Sequence, residues 1–345
     1  MTKECITIAV DAMGGDNAPN ATIAGINLFL SNLKSKNVKI LVFGDKAKIK
    51  ELAKPDTFFY DFCTIEDTKD VIGANWKVSE ALRQGKDSSM WKAIQSVAEG
   101  KADAVVSAGN TGALMAVSRK VLKMLPNIER PAIVGTLPTK KDPVVMLDLG
   151  ANSTCTPQNL VQFAIMGDAF SRAILDKVNP KVAILNIGSE EVKGNTVVQQ
   201  ASEILMRYKD KQVLNYEGYI EGNEIYDGKV DVVVTDGFSG NIALKILEGT
   251  AKYVVWSFKS AIAKSILAKI GLAFFIPVLL KLRKQTDSRR YNGAMLIGLN
   301  GISVKAHGSS DKVAIASSLD AAYKLVKSKV NSRIEEELKI PLSLT

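Results

Sequence analysis

The stretch Ser88-Ser-Met-Trp-Lys-Ala-Ile-Gln-Ser-Val-Ala-Glu-Gly100, followed by Ala104-Val-Val-Ser107 and then Ala108-Gly-Asn-Thr-Gly112, decides the fold. Its first part has helical period, with Ser88 or Ser89 placed to cap the amino end and Gly100 to close the carboxyl end. Its second part is short and β-branched at its centre, and reads as a strand. The third is a Gly/Asn loop that opens another helix at Ala113. The same unit recurs outward in both directions. Ile6–Val10, Val38–Phe43, Val144–Leu149, Val182–Ile187 and Val230–Thr235 are short β-branched runs bounded by Gly, Asp or Asn, with longer segments of helical period between them. Such alternation predicts an α/β fold, a mostly parallel sheet with helices on both faces. Near the carboxyl end Ala294–Ile297 and Ile302–Lys305 flank Asn300-Gly301, a hairpin-turn dipeptide, ahead of a last helix from about Ser309 to Val330. No repeat and no Pro/Gly/Ser-rich linker interrupts the pattern, so residues 1–345 read as a single α/β catalytic domain.

Composition narrows the class. With 46% hydrophobic and 23% charged residues, the 345-residue chain is neither disordered, collagen-like nor a polytopic membrane protein. The 3 cysteines, Cys5, Cys63 and Cys155, form no CxxC spacing, so neither a disulfide framework nor a thiolate zinc site is expected. His307 is the 1 histidine; poly-His metal sites are excluded, no metal is called for, and any Ser-His-Asp or Cys-His arrangement would run through it. The segment from Met1 to Val10 holds one apolar strand and no cleavage site, which points to the cytoplasm.

The net charge of +9 is local. Between Thr250 and Arg290 nine basic residues face one acid, Asp287, a net of +8. The remainder is near neutral and carries no aromatic-interleaved basic motif, so no nucleic-acid partner is expected. The same segment holds the apolar run Ile270-Gly-Leu-Ala-Phe-Phe-Ile-Pro-Val-Leu-Leu280. That is too short for a spanning helix of about 20 residues. Residues 250–290 therefore read as a projecting basic, amphipathic helical arm, open to two uses. Leu272, Phe274, Phe275, Ile276, Leu279 and Leu280 could enter an anionic membrane surface while the cations face headgroups. Alternatively the arm is a helical hairpin that packs on a second subunit.

Four loops after strand-like runs could hold an anion. They are Asp11-Ala-Met-Gly-Gly-Asp16, Ser107-Ala-Gly-Asn-Thr-Gly112, Ile187-Gly-Ser-Glu-Glu-Val-Lys-Gly-Asn195 and Thr235-Asp-Gly-Phe-Ser-Gly-Asn241. Glycine admits close backbone approach, and helix amino ends direct N–H donors and partial positive charge at an anion. One such loop is an ordinary βα connection; four in one sheet suggest a phosphate-sized ligand at the carboxyl ends of the strands. Neither GxGxxG nor GxxxxGK[ST] occurs, so no cofactor is expected. Lys193 is either a solvated lysine or the cation of such a site. Asn241 is either a helix N-cap or a donor to a developing oxyanion. Asp11 and Asp16 are read as turn caps or as residues that orient donors, and His307 as structural or as an acid/base group.

Through these motifs the sequence resembles the bacterial acyl-carrier-protein:phosphate acyltransferases over essentially its whole length. The resemblance rests on Asp11-Ala-Met-Gly-Gly-Asp16 with Ala18-Pro19, Ser107-Ala-Gly-Asn-Thr-Gly-Ala-Leu-Met115, Asp148-Leu-Gly-Ala-Asn152 and Leu185-Asn-Ile-Gly188 leading to Lys193-Gly-Asn195. Asp236-Gly-Phe-Ser-Gly-Asn241 and Ala306-His-Gly-Ser-Ser-Asp311 complete it, with Ser239 where an aliphatic residue is expected. It implies a fold similar to the isopropylmalate dehydrogenase/phosphotransacetylase group, a homodimer, and attachment to the inner face of the cytoplasmic membrane. It also implies an acyl carrier protein as partner, a reaction that forms acyl phosphate for phospholipid synthesis, and a glycerol-3-phosphate acyltransferase as consumer of the product.

Elementary chemistry agrees. The phosphate dianion is already abundant near neutral pH and a thiol of pKa about 8.5 leaves without a strong acid, so the reaction needs little proton shuttling. Lys193 and Asn241 are then expected to be catalytic. Asp11, Gly14, Gly15, Asp16, Gly109, Asn110, Thr111, Gly112, Asn152, Gly194, Asn195, Asp236, Gly237, Ser239 and His307 are expected to line the phosphate and substrate site. The rivals are an NAD-dependent hydroxy-acid dehydrogenase of related fold, a coenzyme A-dependent phosphate acetyltransferase, and a non-catalytic membrane-surface scaffold.

Overall fold

The computed structural model describes residues 5–33, 37–53, 59–264, 272 and 293–338. Their strands are β1 (Ile6–Asp11), β2 (Val38–Gly44), β3 (Cys63–Asp67), β4 (Ala104–Ser107), β5 (Ala132–Leu137), β6 (Val144–Leu147), β7 (Val182–Asn186), β8 (Tyr216–Glu221), β9 (Val232–Val234), β10 (Ala294–Ile297) and β11 (Ile302–Lys305). They form one 11-stranded sheet in the order β3-β2-β1-β4-β11-β10-β5-β6-β9-β7-β8. All eight predicted strand runs are present, and the structure adds β3, β5 and β8. The Asn300-Gly301 turn joins β10 and β11 as an antiparallel pair, as predicted.

The chain alternates strand and helix because each strand is too apolar to stand alone. In β1, Ile8 and Val10 pack on one face with Phe29, Ile315 and Leu319, while Ala9 packs on the other with Met90, Ile94 and Val117. Both faces are covered, so the strands read as nearly continuous apolar runs rather than as an alternating pattern. Local capping fixes the helix ends. Ser88 Oγ accepts from Trp91 N (3.3 Å) to start the helix Ser89–Ala98, and Gly100 beyond it is left-handed at φ +70°. Thr156 and Asn159 form a reciprocal capping box ahead of the buried helix Pro157–Ile174. Asp311 caps the helix Lys312–Lys327, the last long helix expected from the sequence.

Strand direction positions the site. β3, β2, β1, β4 and β11 are mutually parallel. β10 reverses against β11, β5 reverses against β10, and β6 reverses against β5. The second parallel block, β6-β9-β7-β8, therefore runs opposite to the first. The Gly/Asn loops accordingly fall into two groups, one at the carboxyl ends of β1, β4 and β11, the other at those of β6, β9 and β7.

The predicted arm begins inside the helix Gly237–Ala263, of which only Gly237 and Gly240 are buried. Its exposed apolar side chains start well before residue 250: Phe238 is 62% exposed, Ile246 62%, Trp256 62% and Phe258 64%. Phe274, Phe275, Ile276, Leu279 and Leu280 lie outside the described residues, as does everything adjoining Leu272 in sequence. Among the described residues no helix is long and apolar enough to cross a membrane.

Candidate active site

In the first loop group, Asp11 is the hub. It is buried at the end of β1, and its Oδ1 accepts from Ser89 Oγ (2.6 Å) and its Oδ2 from Ser107 Oγ (2.7 Å). Ser107 Oγ in turn accepts from Gly109 N (3.0 Å), so the carboxylate orients the Gly109-Asn110 turn through one hydroxyl. Burial pushes the Asp11 carboxyl above its usual range, and the two serine hydroxyls pull it back down. Gly14 closes this arrangement: a Cβ there would lie 2.3 Å from Asp11 Oδ2 and 2.8 Å from Gly109 N, so no side chain fits. The turn is tied to the third loop by Asp16 N to Gly308 O (2.8 Å) and by Asn17 Nδ2 to Ser309 O (3.2 Å). Asn110 caps the helix Thr111–Leu122 through Ala113 N (3.0 Å), and its amide donates to Ala74 O (2.7 Å) and Trp76 O (3.2 Å). Thr111 is exposed and Gly112 half-buried in the first turn behind it. His307 is exposed, with Nδ1 against Ser309 Oγ (2.9 Å).

In the second group, Asp148 is the corresponding hub and is fully buried. Its Oδ1 accepts from the backbone of Ile133 (3.0 Å), Gly150 (3.1 Å) and Ala151 (2.9 Å), and its Oδ2 from Asn152 N and Asn152 Nδ2 (both 2.8 Å). Asn152 also donates to Pro131 O (2.8 Å), and its own carbonyl receives Gly237 N (2.8 Å). The loop after β6 is thereby bolted to the helix after β9. Asp236 caps that helix, accepting from Ser239 N (2.8 Å) and Ser239 Oγ (3.1 Å), which gives the unexpected serine a place. At Gly240 a Cβ would fall 1.9 Å from Asp148 O, so the helix amino end reaches the loop only without a side chain there.

β7 lies beside β9 and is parallel to it, so its loop leaves the same edge. Asn186 Nδ2 donates to Lys193 O (3.1 Å), Gln199 Nε2 to Val192 O (3.0 Å), and Asn195 caps the helix Thr196–Asp210 through Val198 N (2.9 Å). Gly194 turns this loop at φ +89°.

These hydrogen bonds divide the expected site residues. Asp11, Asn110, Asn152, Asn195, Asp236 and Ser239 are occupied in holding loops and helix ends. Lys193 is exposed with no ion pair among the described residues, and Asn241, half-buried against Gly150, has a side-chain amide with no hydrogen bond among them. The N-cap reading of Asn241 is corrected, because Asp236 caps that helix and Asn241 sits one turn inside it. Ser89, Ser107, Asp148 and Asn186 join the site only through the fold. Asp148 and Ser107 stand in the quoted motifs, but nothing local marks a carboxylate or hydroxyl as a loop anchor before its partners are in place. The described residues contain no group of three or more His, Cys, Asp or Glu fit for a metal.

A family model described as fatty acid synthesis protein matches residues 6–333. The phosphate acyltransferase of Paramagnetospirillum magneticum is 46% identical over 96% of this chain and 93% of its own length. That of Rhodospirillum centenum is 47% identical over 97% and 94%. The chain belongs to the phosphate acyltransferase family. The dehydrogenase and scaffold readings lose their ground with that membership: this is an acyltransferase. Among solved structures, a phosphotransacetylase from Streptococcus pyogenes superposes with a TM-score of 0.62 at 18% identity, covering 96% of this chain and 95% of that one. A 4-hydroxythreonine-4-phosphate dehydrogenase from Klebsiella pneumoniae gives 0.54 at 14%, covering 94% and 100%. Those two share the fold with this acyltransferase, as the α/β reading of the sequence expected.

Proposed function

We propose that the protein transfers a long-chain acyl group from the thioester of an acyl carrier protein to inorganic phosphate, and releases acyl phosphate for phospholipid synthesis. The observation that carries this reading is the pair Lys193 and Asn241, without ion pair or side-chain hydrogen bond among the described residues, on neighbouring loops where Asn186, Asn195, Asp236 and Ser239 are occupied. A phosphate oxygen attacks the thioester carbon, the carbonyl oxygen takes the negative charge, and the C–S bond breaks to leave the carrier thiolate, which takes a proton from water. Asn241 donates to the oxyanion and Lys193 neutralises the phosphate. The Gly109-Asn110-Thr111-Gly112 turn supplies backbone donors from the opposite block.

The exposed apolar helix Gly237–Ala263, with Lys245, Lys252 and Lys259 along it and Lys264 at its carboxyl end, leads into the basic arm. It supports peripheral attachment to the cytoplasmic face of an anionic membrane and contact with a second copy of the chain, beside a single catalytic domain. An acidic carrier would also be drawn to these cations.

The test is carrier release from acyl-carrier thioester by purified protein. Release should require phosphate, and Lys193→Ala and Asn241→Ala should each lower turnover by about 10²–10³ with the fold intact. Release that proceeds equally without phosphate overturns the reading.

A further inference from the structure

Lys305 is the ionisable group of the first loop cluster that has so far been given no part. It ends β11 level with Ser107 of β4, which is level with Asp11 of β1. In-register neighbours on parallel strands point to one face, so Asp11, Ser107 and Lys305 form a row across three adjacent strands. The row faces the helices Ser89–Ala98 and Thr111–Leu122. Ser89 bonds Asp11, and Ser303, two residues before Lys305 and hence on its face, meets Ser118 (3.1 Å). Half-buried, Lys305 gives its ammonium hydrogen bond to the Ala306 carbonyl. The ionisable groups around it are Asp11 and Asp16. The helix faces packed over this side of the sheet, from Ser89–Ala98 and Thr111–Leu122, are Ser, Met, Trp, Ala, Ile, Leu and Val, and the neighbour of Lys305 on β10 is Ala294.

The fold does not gain from this charge. Burial pulls the ammonium down to about 8, against the attraction of Asp11 and then Asp16. A lysine whose folded value lies below its unfolded one costs stability while it is charged, and that cost is relieved as the pH rises from about 8 toward 10.5. The row puts this cation on the same face as the Asp11 carboxylate, two strands away with Ser107 between them.

We propose that Lys305 is a positioning residue of the reaction: it is the counter-charge to the buried Asp11 carboxylate, and through Asp11 and Ser107 it fixes the Gly109-Asn110 turn. The inference rests on the reading that this turn presents donors to phosphate. The path is short. The lysine favours the ionised carboxylate, the carboxylate orients the Ser107 hydroxyl, and that oxygen holds the Gly109 N–H.

The test compares wild type, Lys305→Met and Lys305→Arg by aspartate carboxyl NMR titration, melting temperature and steady-state kinetics. In Lys305→Met the Asp11 carboxyl should titrate about one pH unit higher than in wild type. The kcat should fall by about tenfold with the melting temperature no lower, and Lys305→Arg should restore both titration and kcat. Ser107→Ala should lower kcat to a similar degree, and its combination with Lys305→Met should cost little more than either alone. An unmoved Asp11 titration overturns the proposal. So does a Lys305→Met variant that melts well below wild type, because the charge would then serve the fold. Absence of phosphate-dependent release in wild type would instead defeat the acyl-transfer reading, and leave the Asp11 titration to decide the place of Lys305.

Discussion

At the scale of single residues, the same amide does opposite work at two positions. Asn152 spends its Nδ2 on Pro131 O and Asp148 Oδ2, whereas Asn241 lies against Gly150 with no hydrogen bond among the described residues. Asn152→Ala should therefore lower stability by about 1–3 kcal/mol in urea unfolding, since it leaves the Pro131 carbonyl without that donor in a buried place. Asn241→Ala should leave the unfolding midpoint where it is and remove turnover. Asp148→Asn is the sharper case. All of the donors at this carboxylate are N–H groups, and an amide would set its own NH₂ against some of them. A loss of about 3 kcal/mol or more is expected, and a wild-type midpoint would show that the loop does not depend on this hub.

At the scale of elements, the helices divide by what their exposed faces are for. The helix Pro157–Ile174 is buried almost throughout and starts at the Thr156–Asn159 capping box, far from Lys193 and Asn241 in function. Thr156→Ala should cost about 1 kcal/mol of stability with unchanged kcat. The helix Gly237–Ala263 is the reverse, with Tyr253 64%, Trp256 62% and Phe258 64% exposed near its carboxyl end. Exposed large apolar side chains on one helix end are what the proposed contact with lipid or a second copy requires. Trp256→Asp together with Phe258→Asp should abolish flotation with anionic vesicles or split the dimer in sedimentation. A double variant that matches wild type in both would remove this helix from either role.

For the whole molecule, the carboxyl-terminal helix Val330–Leu338 is held to the core by an acidic clasp. Arg172 Nε bonds Asp168 Oδ2 (2.6 Å) and stands 3.6 Å from Glu337 Oε1. Burial first, and then the charge of Asp168, push the Glu337 carboxyl up to about 7. Because its folded value is raised, Glu337 contributes stability that is full below its ordinary value of 4.5 and is lost as the pH climbs to about 7. The melting temperature should fall from pH 5 to pH 7.5, and Glu337→Gln, which keeps a donor without a charge, should flatten that slope. A wild-type slope in the variant would place the titration elsewhere.

The sequence by itself determined the α/β class, the hairpin of β10 and β11, the main helix caps and the loops that matter. All of these depend on period, propensity and turn chemistry within a few neighbours. The division of those loops into two groups was decided by tertiary structure alone. The reversal of β10 against β5 pairs segments far apart in the chain, as Met295 with Val134 illustrates, and it is what sets the short β5–β6 reversal, Gly135 with Met146, into the same sheet as β11. The same holds for the hubs. Asp11 takes its donors from residues 78 and 96 positions away, and a carboxylate carries no local sign of which hydroxyl will reach it. What a polar side chain is free to do is set by which of its neighbours already claim it, and those neighbours are assembled only by the fold.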